Sequence, residues 1–156
     1  MKKYLLLFIL FVAAGLSACK KSNTAAVDAA AQAATDDAKI QAYIKANNIT
    51  ATKDPSGLYY QVITPGTGAY PTSVSNVTVA YTGKTLDGNT FDSKPSSYFA
   101  LNGGVIQGWS IGIPHINKGG TILLLIPSAL AYGTTGSGAI SPNTVLLFTI
   151  TLQGFN

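Results

Sequence analysis

Aromatic rings recur through the second half of this chain at spacings that could build one pocket. They stand in Tyr81-Thr82-Gly83, in Phe91-Asp92-Ser93 after the turn Asp87-Gly88-Asn89, and in Val105-Ile106-Gln107-Gly108-Trp109. Further along they stand in Ala131-Tyr132-Gly133, and in Leu146-Leu147-Phe148 after Ile140-Ser141-Pro142. Trp109 is the single tryptophan of the 156 residues. Flat rings, one carboxylate (Asp92) and a phenol together suit a small apolar ring attached to an amide. A prolyl residue is such a ligand.

The elements that must position these groups are mostly strands. Leu58 to Ile63 is β-rich, and Pro65 to Gly68 is a turn. Val77, Val79 and Tyr81 alternate with Thr78, Ala80 and Thr82, as in a half-buried strand. Asp87-Gly88 is a hairpin signal, and Tyr98 to Leu101 reads as a short strand. Ile106 to Ile113 carries the Trp and predicts a short helix ended by Pro114, with Gly108 turning the chain into it. Thr121 to Ile126 is apolar on both parities, so both of its faces should be covered. In the last strand, Val145 to Leu152, the residues Leu146, Phe148, Ile150 and Leu152 share one side. Upstream, Lys20 to Ala34 is Ala-rich and polar and reads as a linker, since an isolated helix of that length is marginal in water. Thr35 or Asp36 then caps a short helix whose stripe is Ile40, Tyr43 and Ile44, ended by Asn47-Asn48. Composition and periodicity alone predict a small α+β domain.

The order and spacing of the ring motifs from Gly57 to Leu152 closely resemble the FKBP-type peptidyl-prolyl cis-trans isomerases. The resemblance implies an α+β fold in which a twisted, half-open antiparallel sheet wraps around the Trp-bearing helix. It implies a pocket with Trp109 as its floor and walls from Phe91, Val105, Ile106, Ile140 and Phe148. Phe99 stands at the family's next aromatic position, although Tyr98 competes for it. Asp92 is implied to bond Tyr81 at the rim, and the Tyr132 hydroxyl to bond the substrate carbonyl. Tyr81, Asp92, Trp109 and Tyr132 are thus the candidate catalytic residues. The implied reaction is rotation about an X-Pro amide, whose barrier of about 20 kcal/mol comes from amide resonance. No bond is made or broken, so neither nucleophile, metal nor cofactor is called for. A non-catalytic prolyl-binding module on the same fold is the alternative. The chain departs from the pattern in having no Arg, in Ser141 where an Ile-Pro-Pro run is usual, and in a small Gly-rich loop at Thr134 to Ala139.

The start of the chain bears on location. Lys2-Lys3, an apolar run from Tyr4 to Ala14 and Leu16-Ser17-Ala18-Cys19 have the layout of a secretory signal ending in a lipobox. The expected division is a signal peptide over 1–18, a lipid-anchored linker over 19–34, a short helix and loop over 35–56, and the isomerase domain over 57–156. Lipid on Cys19 would tether the domain to a bacterial envelope membrane, with the outer membrane facing the periplasm favoured by Lys20-Lys21. With one Cys, no intrachain disulfide forms. The net charge of +4 owes much to Lys2, Lys3, Lys20 and Lys21. From Ala51 onward four Lys face three Asp, so no basic stripe points to nucleic acid. His115 is the lone histidine, which argues against a metal site or a Ser/His/acid triad. Expected partners are proline-containing polypeptides and macrolides of the kind that fit this family's pocket, and the domain is expected to be a monomer.

Overall fold

The computed structural model describes residues 21–156, so the readings made on 1–18 and on Cys19 lie outside the described residues. The chain divides into two units, Met1–Ala31 and Gln32–Asn156, and the second contains every candidate pocket residue. The helix α1 runs Lys21–Ala46. The expected linker through Ala34 is therefore helical from Lys21 onward, and the start read at Thr35 or Asp36 lies mid-helix. Alanine is the strongest helix former, and this stretch holds neither Gly nor Pro to interrupt it. Asp36 does not cap; its carboxylate bonds Ser128 instead. The C-terminus falls where expected, with Asn48 in the left-handed region at φ 52°.

Six strands follow: β1 (Thr52–Lys53), β2 (Tyr59–Thr64), β3 (Asn76–Thr85), β4 (Thr90–Ala100), β5 (Thr121–Ile126) and β6 (Leu146–Phe155). They form one open sheet in the order β1-β2-β5-β6-β3-β4, antiparallel throughout. The short helix α2 (Gln107–Gly112) continues into a 3-10 turn at Ile113–His115 that includes Pro114.

Alternation divides the sheet's side chains between two cores. Val77, Val79 and Tyr81 of β3, Ile122, Leu124 and Ile126 of β5, and Leu146, Phe148, Ile150 and Leu152 of β6 pack with Trp109 and Ile113. Leu125 and Leu147 point the other way, with Tyr59 and Val145, against Ile40 of α1, and Tyr43 and Ile44 support them. This is why β5 is apolar on both parities: each face meets a different partner.

Two local features differ from the sequence expectation. β4 is a single strand of 11 residues, not a short piece at Tyr98 to Leu101. Pro95 hides it from a pattern reading, but Pro is tolerated on an edge strand, and β4 is the edge. Its register against β3 slips twice, once around Pro95 and Ser96 and once at Phe91. Second, Gly108 lies within α2 and serves close approach, not a turn. A Cβ there would stand 2.5 Å from Ile126, and one on Gly112 would stand 2.6 Å from Leu124. The two glycines, four apart, form the bare face on which α2 lies against β5.

Candidate active site

Trp109 sits at the centre of the first core and is 4% exposed. Three rings surround the indole at nearly right angles. Tyr81 lies 5.0 Å away at 75°, Phe99 5.4 Å away at 87°, and Phe148 5.2 Å away at 90°. Phe91 extends the wall, edge-on to Phe148 at 5.5 Å. Edge-to-face pairs set the positive ring edge against the negative face, and each contributes about 0.5–1.5 kcal/mol beyond its buried area. The arrangement is therefore stiff.

Each ring owes its place to a particular feature of the backbone. Tyr81 and Phe148 point inward by strand parity. Phe91 is the extra residue of a β-bulge: Gly83 pairs with Asp92 and Lys84 with Thr90, leaving Phe91 out of register. Bulges re-aim side chains in this way. Gly83 leaves room for the result, because a Cβ there would stand 2.6 Å from the Phe148 ring and 2.7 Å from that of Phe91. Of the two competing aromatics at the end of β4, Phe99 packs on the core and Tyr98 is 62% exposed. Val105, Ile106 and Ile140 complete the apolar surround.

Asp92 lies beside Gly83 on the same face, and the Tyr81 hydroxyl donates to its Oδ2 at 2.6 Å. This is the expected bond, and it is short, as phenol-to-carboxylate bonds are. Burial, then the Asp92 bond and charge, then Tyr132, push the Tyr81 phenol up to about 12. The folded state thus favours neutral Tyr81. The stability this contributes is complete below the unfolded phenol value of about 10, and is lost as pH rises toward 12. In an ultraviolet titration of folded protein, wild type and Tyr81→Phe should coincide near pH 10 and separate only toward about pH 12. Separation near pH 10 would mean that Tyr81 is neither buried nor bonded to Asp92.

Tyr132 occupies a turn after the 3-10 segment Ser128–Leu130 and is 36% exposed, the least sealed of the candidate rings. Its hydroxyl makes no hydrogen bond among the described residues, and its charge acts on Tyr81. The following loop closes by paired backbone bonds between Ser137 and Ile140, of 2.8 and 2.9 Å, which seat Ile140 in the core. The rings at the centre are nearly sealed, Phe91 and Phe99 are half-buried, and Tyr132 is the most exposed of these.

His115 is half-buried and stacks on Tyr60 at 4.1 Å and 11°. A surface cavity of about 350 Å³ lies away from the rings, beside α1, and is lined by Asp37, Lys53, Pro127 and Leu130 among others. The candidate site is therefore defined by its rings and by the Tyr81–Asp92 pair, not by that cavity. Among the described residues, no group of three or more His, Cys, Asp or Glu could hold a metal ion. Sequence reasoning passed over Gly83, whose lack of a side chain the Phe91 bulge requires, and the contact between Asp36 and Ser128. One signal for Asp36 was available, since it heads the stripe it forms with Ile40 and Ile44.

Comparison with known proteins agrees with this geometry. The profile of the FKBP-type peptidyl-prolyl cis-trans isomerase family matches residues 68–153. Over 102 residues the chain is 44% identical to the isomerase FkpA of Escherichia coli, covering 62% of this chain and 37% of that protein. It is 41% identical over 104 residues to the outer membrane protein MIP of Legionella longbeachae, covering 63% of this chain and 44% of that one. The chain thus spans less than half the length of either curated relative. Among solved structures, FkpA from Escherichia coli superposes with a TM-score of 0.70 at 35% identity, over 86% of this chain and 66% of that one. A peptidyl-prolyl isomerase from Pseudomonas syringae pv. tomato does so with a TM-score of 0.68 at 30% identity, over 81% and 94%. With the fold, the ring arrangement and the profile in agreement, the chain belongs to the FKBP-type peptidyl-prolyl cis-trans isomerase family.

Proposed function

We propose that this protein accelerates cis–trans rotation of X-Pro amides in exported polypeptides. The supporting observation is the set of three rings standing nearly perpendicular to Trp109, with the Tyr81–Asp92 bond at their edge. An amide loses its resonance at the twisted state, and water stabilises the polarised planar form. The prolyl ring rests on Trp109, walled by Phe91, Phe99, Phe148, Val105, Ile106 and Ile140, and this apolar surround strips water from the imide. Tyr132 donates its hydroxyl to a substrate carbonyl and holds the chain while the amide turns. Asp92, oriented by Tyr81, polarises the rim. It does not act as a base, because rotation moves no proton. Each 1.4 kcal/mol of preference for the twisted state is about a tenfold gain in rate.

A protease-coupled assay on a short X-Pro-Phe peptide tests the reading. Wild type should accelerate isomerisation. Tyr132→Phe should lower kcat/KM by up to about tenfold, since a neutral hydrogen bond contributes on the order of 1 kcal/mol. Peptide binding without acceleration would favour the alternative, a non-catalytic holding module. The proposal extends to location: acyl chains on Cys19 tether the domain to the bacterial envelope, at the outer membrane facing the periplasm. The name of the MIP relative supports that placement. In such a host, Cys19→Ser should move the protein from the membrane fraction to the soluble fraction. Macrolide binding at the same rings and a monomeric state complete the reading.

A further inference from the structure

We infer that Asp36 of helix α1 is a positioning residue for Tyr132, acting through Ser128. Asp36 is fully buried, and so is Ser128 at 1% exposure. Asp36 Oδ2 accepts both the Ser128 backbone N–H, at 2.8 Å, and its hydroxyl, at 2.6 Å. Asp36 Oδ1 accepts from Gln32 Nε2 at 2.8 Å. A carboxylate out of water is costly unless its oxygens are well used. This chain has six acidic residues and commits one of them here, with three bonds. The apolar stripe of Ile40, Tyr43 and Ile44 already docks α1 against the second core.

The remaining polar atom of Ser128 explains the arrangement. Its carbonyl accepts the N–H of Ala131 at 3.0 Å and that of Gly133 at 2.8 Å. These are the two neighbours of Tyr132 in the chain. One residue therefore receives the helix on its donor side and grips the backbone on both sides of the phenol on its acceptor side. A donor aimed at a substrate carbonyl must be held closely, and misplacement by about 1 Å is expensive in rate. The inference rests on the role proposed above for the Tyr132 hydroxyl.

The test is a double-mutant cycle on the full chain in mild detergent, at a temperature where circular dichroism shows each variant folded. Asp36→Ala should lower kcat/KM several-fold, by no more than the roughly tenfold that losing the Tyr132 bond costs. In a Tyr132→Phe background the same substitution should change nothing further. Asp36→Asn should restore most of the rate, because its amide oxygen still accepts both Ser128 donors. If Asp36→Ala does not fold, Ser128→Ala takes its place in the cycle with the same expectation. Equal losses in both backgrounds would mean that Asp36 is merely structural, and would overturn the inference. A slowed Tyr132→Phe beside an unaffected Asp36→Ala would overturn the inference alone. Unchanged kinetics in Tyr132→Phe would overturn the role of the phenol, and the inference with it.

Discussion

Trp109→Ala lowers stability by about 3–5 kcal/mol and abolishes measurable prolyl-peptide binding. The stability loss follows from burial: removing a buried Trp forfeits its transfer energy and leaves a cavity. Here three rings, Tyr81, Phe99 and Phe148, also lose the indole they pack against at nearly right angles. The binding loss follows from the same geometry, because the proposed walls pack directly against the proposed floor. A domain of this size has only about 5–15 kcal/mol in total, so unfolding must be measured before activity is interpreted. Urea denaturation followed by far-ultraviolet circular dichroism serves, since the only Trp is gone. Trp109→Phe is the companion variant. It keeps a flat ring and removes the buried indole N–H, which has no hydrogen-bond partner among the described residues. It should fold and retain part of the binding. A folded Trp109→Ala that still binds prolyl peptide would show that the indole is core and nothing more.

Gly83→Val is the second large effect, and it comes from addition instead of removal. The new Cβ would stand 2.6–2.8 Å from ring atoms of Phe148 and Phe91. Phe148 has little room to yield, because it is itself held edge-on to Trp109. Overpacking of this kind costs about 1–3 kcal/mol, and here the displaced atoms belong to the proposed pocket walls. Expected together are a lowered urea midpoint and a changed Trp109 emission, with weakened peptide binding even where the variant is folded. Gly154→Val provides the contrast, since a Cβ at Gly154 meets nothing within 4 Å. It should leave both properties almost unchanged. Equal behaviour of the two variants would mean that Gly83 does not make room for the wall.

Much of this site could be read in the sequence because its residues are tied to backbone signals. Tyr81 and Phe148 lie at inward positions of alternating strands. The covering of β5 on both sides followed from its parity alone. What escaped was non-local. Phe91 read as a residue just past a turn, and only its pairing against Gly83 and Lys84 reveals the bulge that swings its ring inward. β4 was cut short because Pro95 is a strand breaker unless the strand is at an edge, and edge status depends on partners distant in the chain. The N-terminal half of α1 was missed because alanines carry helix propensity without periodicity. Asp36 looked like a cap because acids favour helix starts. Its true partner lies 92 residues away, beyond any local rule.

An imide should rotate more easily among these rings than in water. Exchange spectroscopy by nuclear magnetic resonance reads this rotation itself, on a short X-Pro peptide with catalytic amounts of the full chain and no coupling protease. Uncatalysed rotation takes tens to hundreds of seconds. Cis–trans exchange cross-peaks should appear with wild type, fade with Tyr132→Phe and vanish with Trp109→Ala. Peptide resonances that shift on binding while cis and trans still exchange at the solvent rate would contradict that expectation.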